Sequence, residues 1–276
     1  MKQALVYTDL DGTLLDHDTY QFEEAKHVLK MLRERRIPVI LCSSKTRAEI
    51  ELHRSKMSLS YPFIVENGGA ILIPKNTLNI DNLTFVKKGR YNAVELGYPY
   101  ETVCKALKEL KQRSSIRLLG FSEMTVDDIS RHTRLPLKEA YLASRREYTE
   151  PFHFHGTREE LEDLKYQIGQ KGFVITKGGR FYLLMGKDNN KGNAVRLLTE
   201  IYTRNYPEHK LLTIGLGDSP NDIPMLENVD IPVLIQKKDG SYVSWHNSKS
   251  VIHAKYPGPR GWASAVQEIL SILPQS

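Results

Sequence analysis

The chain has 276 residues, 40% of them apolar and 26% charged, enough for one large domain or for a core plus a second module. Its net charge of +6 comes from basic residues spread along the chain. That argues against a nucleic-acid partner and is compatible with a small anionic substrate. Its two cysteines, Cys42 and Cys104, form neither a metal-type pair nor a disulfide framework, and the apolar run at residues 4–7 is too short for a signal peptide or a membrane span. The expectation is a cytoplasmic protein with reduced thiols, no membrane partner and an oligomeric state that the sequence does not specify.

In chain order, residues 4–8 are a short apolar run ended by polar residues, which predicts a buried strand. Residues 22–35 carry Ala25, Val28, Leu29 and Leu32 on one helical face. A second strand is predicted at residues 37–42, a helix at 46–57 and a third strand at 63–65. The alternation implies a parallel sheet, with its ligands beyond the carboxyl ends of the strands.

From about residue 83 to 186 the order changes. Helices are predicted at 100–112, 136–144 and 158–169, and strands at 116–119, 151–154, 173–176 and 181–185. This is the pattern of an inserted α+β module. The first pattern then resumes, with a helix at 194–202, strands at 211–215 and 229–235, and a closing helix at 262–273.

Four short segments fall at predicted strand ends or helix starts. Asp9-Leu10-Asp11-Gly12-Thr13 follows the first strand and sets two carboxylates two residues apart. One can attack phosphorus while the other handles a proton. Cys42-Ser43-Ser44-Lys45 ends the second strand, where a hydroxyl and fresh helix N–H groups form an anion site. Asp188-Asn189-Asn190-Lys191-Gly192 places a lysine at a helix start, suited to neutralising a phosphoryl group or holding the nucleophile. Gly215-Leu216-Gly217-Asp218-Ser219-Pro220-Asn221-Asp222 closes the set with two more carboxylates. Asp9, Asp218 and a backbone carbonyl meet the oxygen preference of Mg²⁺. Each segment alone has a plain alternative: an acidic turn, an N-cap serine or a surface lysine. Jointly and in this order they do not.

As a set, the four motifs resemble the haloacid dehalogenase superfamily of phosphatases over the whole chain. The resemblance implies a Rossmann-like, doubly wound α/β core at residues 1–83 and 187–276, with an inserted α/β cap at 84–186 of the type placed at the second site. It implies Asp9 as nucleophile and metal ligand, and Asp11 as general acid, then base, with its carbonyl on the metal. Ser43 and Lys191 would hold the phosphate, Asp218 would bind Mg²⁺, and Asp222 would support the metal site. The acid at Asp11, where the superfamily's ion-pumping ATPases carry threonine, favours hydrolysis.

Finer features include Asp16-His17-Asp18-Thr19-Tyr20, the Ser43-Ser44-Lys45-Thr46 sequence in place of the commoner Thr-Gly-Arg, Arg146 to Phe152, Gly178-Gly179-Arg180-Phe181, and Pro257 to Trp262. Together they are similar to the mannosyl-3-phosphoglycerate phosphatases, which implies a phosphorylated glycosyl glycerate as substrate. Ser44, Lys45, Arg146, Glu150, Gly179 and Arg180 are then candidate substrate contacts. Arg180 would clamp the glycerate carboxylate, and Glu150 would accept from sugar hydroxyls. Structural alternatives for these cap residues are an Arg146–Glu150 ion pair and a hairpin turn at Gly178-Gly179. Competing functions are a broader sugar-phosphate or glucosyl-3-phosphoglycerate phosphatase, a phosphomutase, and a binding protein that kept the fold. His153 and His155, two apart on a strand, are read as cap packing rather than a metal pair. Residues 66–69 are read as a turn on the active-site side.

Overall fold

The computed structural model describes residues 2–113, 116–178 and 180–272. The first segment carries β1 (Lys2–Thr8), α1 (Lys26–Glu34), β2 (Val39–Leu41), α2 (Arg47–Lys56), β3 (Phe63–Val65), β4 (Ala70–Pro74), β5 (Val86–Lys88) and β6 (Tyr91–Glu95). Next come α3 (Tyr100–Arg113), β7 (Arg117–Gly120), α4 (Val126–Thr133), α5 (Leu137–Ser144), β8 (Thr149–His155), α6 (Arg158–Gly169), β9 (Phe173–Lys177) and β10 (Tyr182–Gly186). The chain then returns through α7 (Lys191–Asn205), β11 (Lys210–Gly217), α8 (Ile223–Glu227), β12 (Ile231–Gln236), β13 (Ile252–Pro257) and α9 (Gly258–Ile272). Residue 273, expected to end the last helix, lies outside the described residues.

Five parallel strands form the first sheet in the order β13-β12-β11-β1-β2. Both faces are covered, so its inner strands β1, β11 and β12 are largely apolar rather than alternating, while the edge strand β13 is mostly exposed. In β1, Ala4 and Val6 join a core with Val28, Leu32 and Trp262. Leu5 and Tyr7 join the opposite core with Val195, Leu198 and Leu226. The helices α1 and α9 thus cover one face, and α7 and α8 the other.

The third predicted strand behaves differently from expectation. It touches β2 only through a parallel bridge at Cys42 and Ile64, and pairs antiparallel with β4. The second sheet runs β3-β4-β6-β5. Its residues feed the same two cores, Leu72 and Tyr91 on one side and Ile71 and Val94 on the other. This corrects the expected start of the inserted module at residue 84. The strands β5 and β6 belong with the core sheet, and the module proper begins with α3.

The module has its own antiparallel sheet, β7-β8-β10-β9. Its inner face packs Leu118, Phe152, Phe173 and Leu184 against α3 and α6. The short helices α4 and α5 form a separate small cluster around Phe121, Ile129 and Ala140. No described helix is long and apolar enough to cross a membrane. Cys42 and Cys104 are both free thiols.

Candidate active site

The carboxyl ends of β1, β2 and β11 converge on one point. Asp9 leaves β1 with its amide bonded to Leu216 O on β11 at 3.0 Å, while Cys42 N, just past β2, donates to Thr8 O at 2.8 Å. The strand end is braced from behind: the buried Trp262 indole of α9 donates to Thr8 Oγ1 at 3.0 Å, and that hydroxyl donates to Asp9 O at 2.7 Å. After Asp9 the chain doubles back, with Thr13 N and Leu15 N both bonded to Leu10 O. Gly12 sits in the turn at φ +77°, where a Cβ would lie 2.8 Å from Asp218 Oδ2. Only glycine lets Asp218 come that close. The Thr13 hydroxyl then fixes Asp218 by donating to Oδ1 at 2.9 Å.

Lys191 opens α7 and is completely buried. Its ammonium donates to Asp9 Oδ1 and to Asp222 Oδ1, each at 2.6 Å. Burial works against this charge, but Asp222 and Asp9 outweigh it and hold the lysine protonated. Asp222 is equally buried, and its other oxygen accepts from Asp218 N, Ser219 N and the Ser219 hydroxyl. Both Asp222 oxygens are therefore engaged within the protein. It shapes the loop that carries Asp218 and bridges it to Lys191, rather than offering a free ligand atom.

Three carboxylates around one ammonium leave negative charge in excess. Burial first, then the neighbouring Asp222, push the Asp9 pKa well up. The same two causes raise Asp218 to about 6, against the Thr13 hydrogen bond. Oxygens of Asp9, Asp218 and Asp222 all lie within 4.8 Å of one another. A cluster of hard oxygen donors with a charge deficit of this kind fits a divalent cation. Asp9 and Asp218 have the oxygens to hold it.

Asp11 lies beside this cluster. Its Oδ2 pairs with the Lys45 ammonium at 2.9 Å, while Oδ1 is buried without a hydrogen-bond partner. Lys45 also faces Glu49 at 3.8 Å, and its ammonium sits 5.0 Å from the Tyr20 ring centroid. Burial opposes the Lys45 charge, but Asp11 and Glu49 raise its pKa. Ser43 is buried at the end of β2, its Oγ accepting from Lys45 N at 3.2 Å. Thr46 caps α2 in a reciprocal pair with Glu49.

The cap candidates separate. Arg146 reaches the core, donating through Nη1 to Ser44 O at 2.9 Å, and is held by Ala143 O. The alternative pairing with Glu150 is absent among the described ion pairs. Glu150 is fully buried: Tyr100 donates to one oxygen at 2.5 Å, and the amide and hydroxyl of Ser122 donate to the other. The described partners of Glu150 thus all lie inside the cap, where a sugar contact was expected. Arg180 is exposed and donates to Thr133 O at the end of α4 at 2.7 Å. No described contact joins it to the core. Gly179 lies outside the described residues. His153 bonds His132 at 3.1 Å and packs on Phe181, within the cap.

The turn expected at residues 66–69 has partners that the sequence did not show. Glu66 and Asn67 sit at φ +48° and +57°, conformations that cost energy in non-glycine residues. The buried Glu66 carboxylate accepts from the amides of Glu147, Tyr148 and Thr149 and from the Thr149 hydroxyl, at 2.7–3.1 Å. Asn67 N bonds Ser43 O, its Oδ1 accepts from Asn221 of the Asp218 loop, and a Cβ at Gly68 would lie 2.3 Å from Asn190 O. This turn touches the Ser43, Lys191 and Asp218 segments and pins the cap segment at 147–149. Two adjacent polar residues before Gly68-Gly69 were its only sequence signal.

A haloacid dehalogenase-like hydrolase family model matches residues 6–241. A glucosyl-3-phosphoglycerate/mannosyl-3-phosphoglycerate phosphatase from Methanococcoides burtonii is 41% identical over 96% of this chain and 97% of its own. A mannosyl-3-phosphoglycerate phosphatase from Pyrococcus furiosus is 38% identical over 84% of this chain and 90% of its own. Among solved structures, the Synechocystis sucrose-phosphatase in complex with sucrose and phosphate aligns at TM-score 0.62 and 15% identity, over 97% of this chain and 98% of its own. A haloacid dehalogenase-like hydrolase from Bacteroides thetaiotaomicron aligns at TM-score 0.67 and 17% identity, over 97% and 100%.

Proposed function

The chain belongs to the haloacid dehalogenase-like hydrolases and is a phosphomonoester phosphatase; from that premise we propose that it removes phosphate from mannosyl-3-phosphoglycerate, and from its glucosyl counterpart, through a phospho-aspartate on Asp9. The observation that carries the chemistry is the buried Lys191 ammonium, bonded at once to Asp9 and Asp222 beside Asp218. The substrate rests on the near-full-length likeness to the Methanococcoides burtonii phosphatase named for both compounds.

In the first step an Asp9 carboxylate oxygen bonds to phosphorus and the bond from phosphorus to the glycerate oxygen breaks. Asp11 gives its proton to that departing oxygen. In the second step Asp11 takes a proton from water, the water oxygen bonds to phosphorus, and the acyl phosphate bond breaks. Inorganic phosphate leaves and Asp9 is restored. Lys191 and the Ser43 hydroxyl hold the non-bridging oxygens, where charge is spread in a loose transition state. Lys45 pairs with the carboxylate form of Asp11 and keeps it turned inward. Asp9, Asp218 and the Asp11 carbonyl would hold Mg²⁺, which supplies neutralising charge at the phosphoryl group when bound.

Phosphate release with Mg²⁺ on mannosyl-3-phosphoglycerate, glucosyl-3-phosphoglycerate and simple hexose phosphates tests this reading. A kcat/KM at least about tenfold higher for a glycosyl phosphoglycerate supports it. Equal or better turnover of hexose phosphates replaces it with a broad sugar-phosphate phosphatase.

A further inference from the structure

The strand that carries Asp9 ends where its hydrogen-bond ladder stops. Asp9 N donates to Leu216 O, and in a continued parallel ladder Asp9 O would accept from Asp218 N, two residues further on. Asp218 N turns instead to Asp222 Oδ2 at 3.1 Å. The orphaned Asp9 O accepts from the Thr8 hydroxyl at 2.7 Å, and that hydroxyl accepts from the Trp262 indole at 3.0 Å. Thr8, Asp9 and Trp262 are all buried. An indole N–H can only donate, so Thr8 Oγ1 must accept from it, and the single hydroxyl hydrogen is left for Asp9 O. Without the indole the hydroxyl is free to turn to another acceptor. Trp262 itself has no room to drift. The helix α9 follows β13 directly, and a Cβ at Gly261 would lie 1.8 Å from Tyr256 O, so the helix abuts the strand end.

The carbonyl matters because of the amide bonded to it. No described peptide is cis, and in a trans peptide the N–H points opposite to the C=O. Holding Asp9 O toward Thr8 and Trp262 therefore aims Leu10 N–H the other way, to the side of β2, where Cys42 N bonds Thr8 O and Ser43 follows. Neither Leu10 N nor Asp11 N has an acceptor among the described residues. The Leu10 side chain is fully buried in the core, which anchors the turn that presents these donors. We propose that Trp262 is a positioning residue for the reaction: acting through Thr8, it fixes the Asp9–Leu10 peptide so that Leu10 N–H meets a non-bridging phosphoryl oxygen alongside Lys191 and Ser43. The inference rests on the phospho-aspartate reading above. A donor already aimed at the place where charge develops needs no reorganisation as the transition state forms. The same peptide sets the direction in which the Asp9 side chain leaves the backbone, so one relay orients both the attacking group and a donor. It also gives the Pro257–Trp262 segment a part in the chemistry that it does not touch.

Three variants test it. Thr8→Val keeps the shape and removes the hydroxyl, Thr8→Ser keeps the hydroxyl, and Trp262→Phe keeps an aromatic ring and removes the donor. Steady-state kinetics on mannosyl-3-phosphoglycerate and on an aryl phosphate are read beside inhibition by vanadate, a five-coordinate mimic of the phosphoryl group in transfer. Thermal melting checks the fold. Thr8→Val and Trp262→Phe should lower kcat about ten- to a hundredfold on both substrates with KM little changed, short of the roughly 10²–10³ lost when an oxyanion donor is deleted outright. The Ki of vanadate should rise in the same order. Thr8→Ser should recover most of the loss. The Thr8→Val/Trp262→Phe double variant should be no worse than the more severe single one, because both break the same chain. A Thr8→Val enzyme that keeps kcat and vanadate Ki within about twofold, whatever its melting temperature, overturns the proposal. So do a Thr8→Ser enzyme as impaired as Thr8→Val, and losses that multiply in the double variant. If Trp262→Phe does not fold, the two Thr8 variants still decide. Asp9→Asn separates this inference from the reading beneath it. Near-parent turnover in Asp9→Asn removes the phospho-aspartate and the relay together, whereas an inactive Asp9→Asn with unaffected Thr8→Val removes the relay alone.

Discussion

The carboxylate cluster around Lys191 and the cap differ in where the partners of their polar side chains lie. Lys191 is wholly buried and bonded twice, Asp222 accepts on both oxygens, and Asp218 is held by Thr13 and shaped by the absence of a Cβ at Gly12. Such a site is over-determined by its surroundings. The cap's Glu150 and Arg180 are satisfied by the cap itself. Glu150 is a strut between Tyr100 and Ser122, and Arg180 braces the end of α4. A charged residue in a cap is thus weak evidence of a substrate contact, whereas a carboxylate at the end of a buried parallel strand is strong evidence of chemistry. The two regions meet at Glu66, a core carboxylate whose four acceptor contacts all go to the cap segment 147–149.

Removing the nucleophile breaks the comparison at its strongest point. Asp9→Asn deletes both the attacking oxygen and a metal ligand, so turnover should fall on the order of 10⁴-fold or more. Activity within tenfold of the parent in a phosphate-release assay would rule out the covalent route. Asp11→Asn should cost about 10² to 10⁴ in rate, the usual worth of acid–base help. With an activated aryl ester, Asp9 should still be phosphorylated and the acyl phosphate should persist. Rapid quenching with labelled substrate would detect it, and an unchanged dephosphorylation rate contradicts the assignment.

Glu66→Gln sharpens the boundary between the regions. The amide turns a donor toward amides that are themselves donors, and it removes the charge, a loss of about 1.5–3 kcal/mol for one charged hydrogen bond. Hydrogen exchange at residues 147–149 should accelerate, the melting temperature should fall, and kcat/KM on the glycosyl substrate should drop about tenfold. Unaltered exchange in that segment would mean that the ion pairs of Glu147 with Arg47 and Lys88 carry the tether instead.

Arg180→Ala is expected to do least. A carboxylate clamp would lose one to two decades in kcat/KM for the glycerate-bearing substrate. A surface side chain engaged with Thr133 O should change it by no more than about threefold, since such substitutions cost within about 0.5 kcal/mol. A decade of loss confined to the glycerate-bearing substrate would return Arg180 to the binding site.

The sequence by itself determined the parallel core and the four motif segments that meet at its strand ends. These are local signals: an apolar run buried on both faces, then a polar turn with glycine, is legible without knowing what packs against it. Asp9, Asp11, Ser43, Lys191 and Asp218 could be named because each closes such a run. Only the tertiary structure decided the rest. The strands β5 and β6 joined the core because β6 pairs with β4 and β5 with β6, contacts that no spacing encodes. That the second oxygen of Asp222 faces its own loop is visible only in the fold. Glu66 and Trp262 gained their roles from partners about eighty and about two hundred and fifty residues away in the chain. A pattern along the chain reports which face of an element is buried. What that face is buried against is a property of the folded molecule alone.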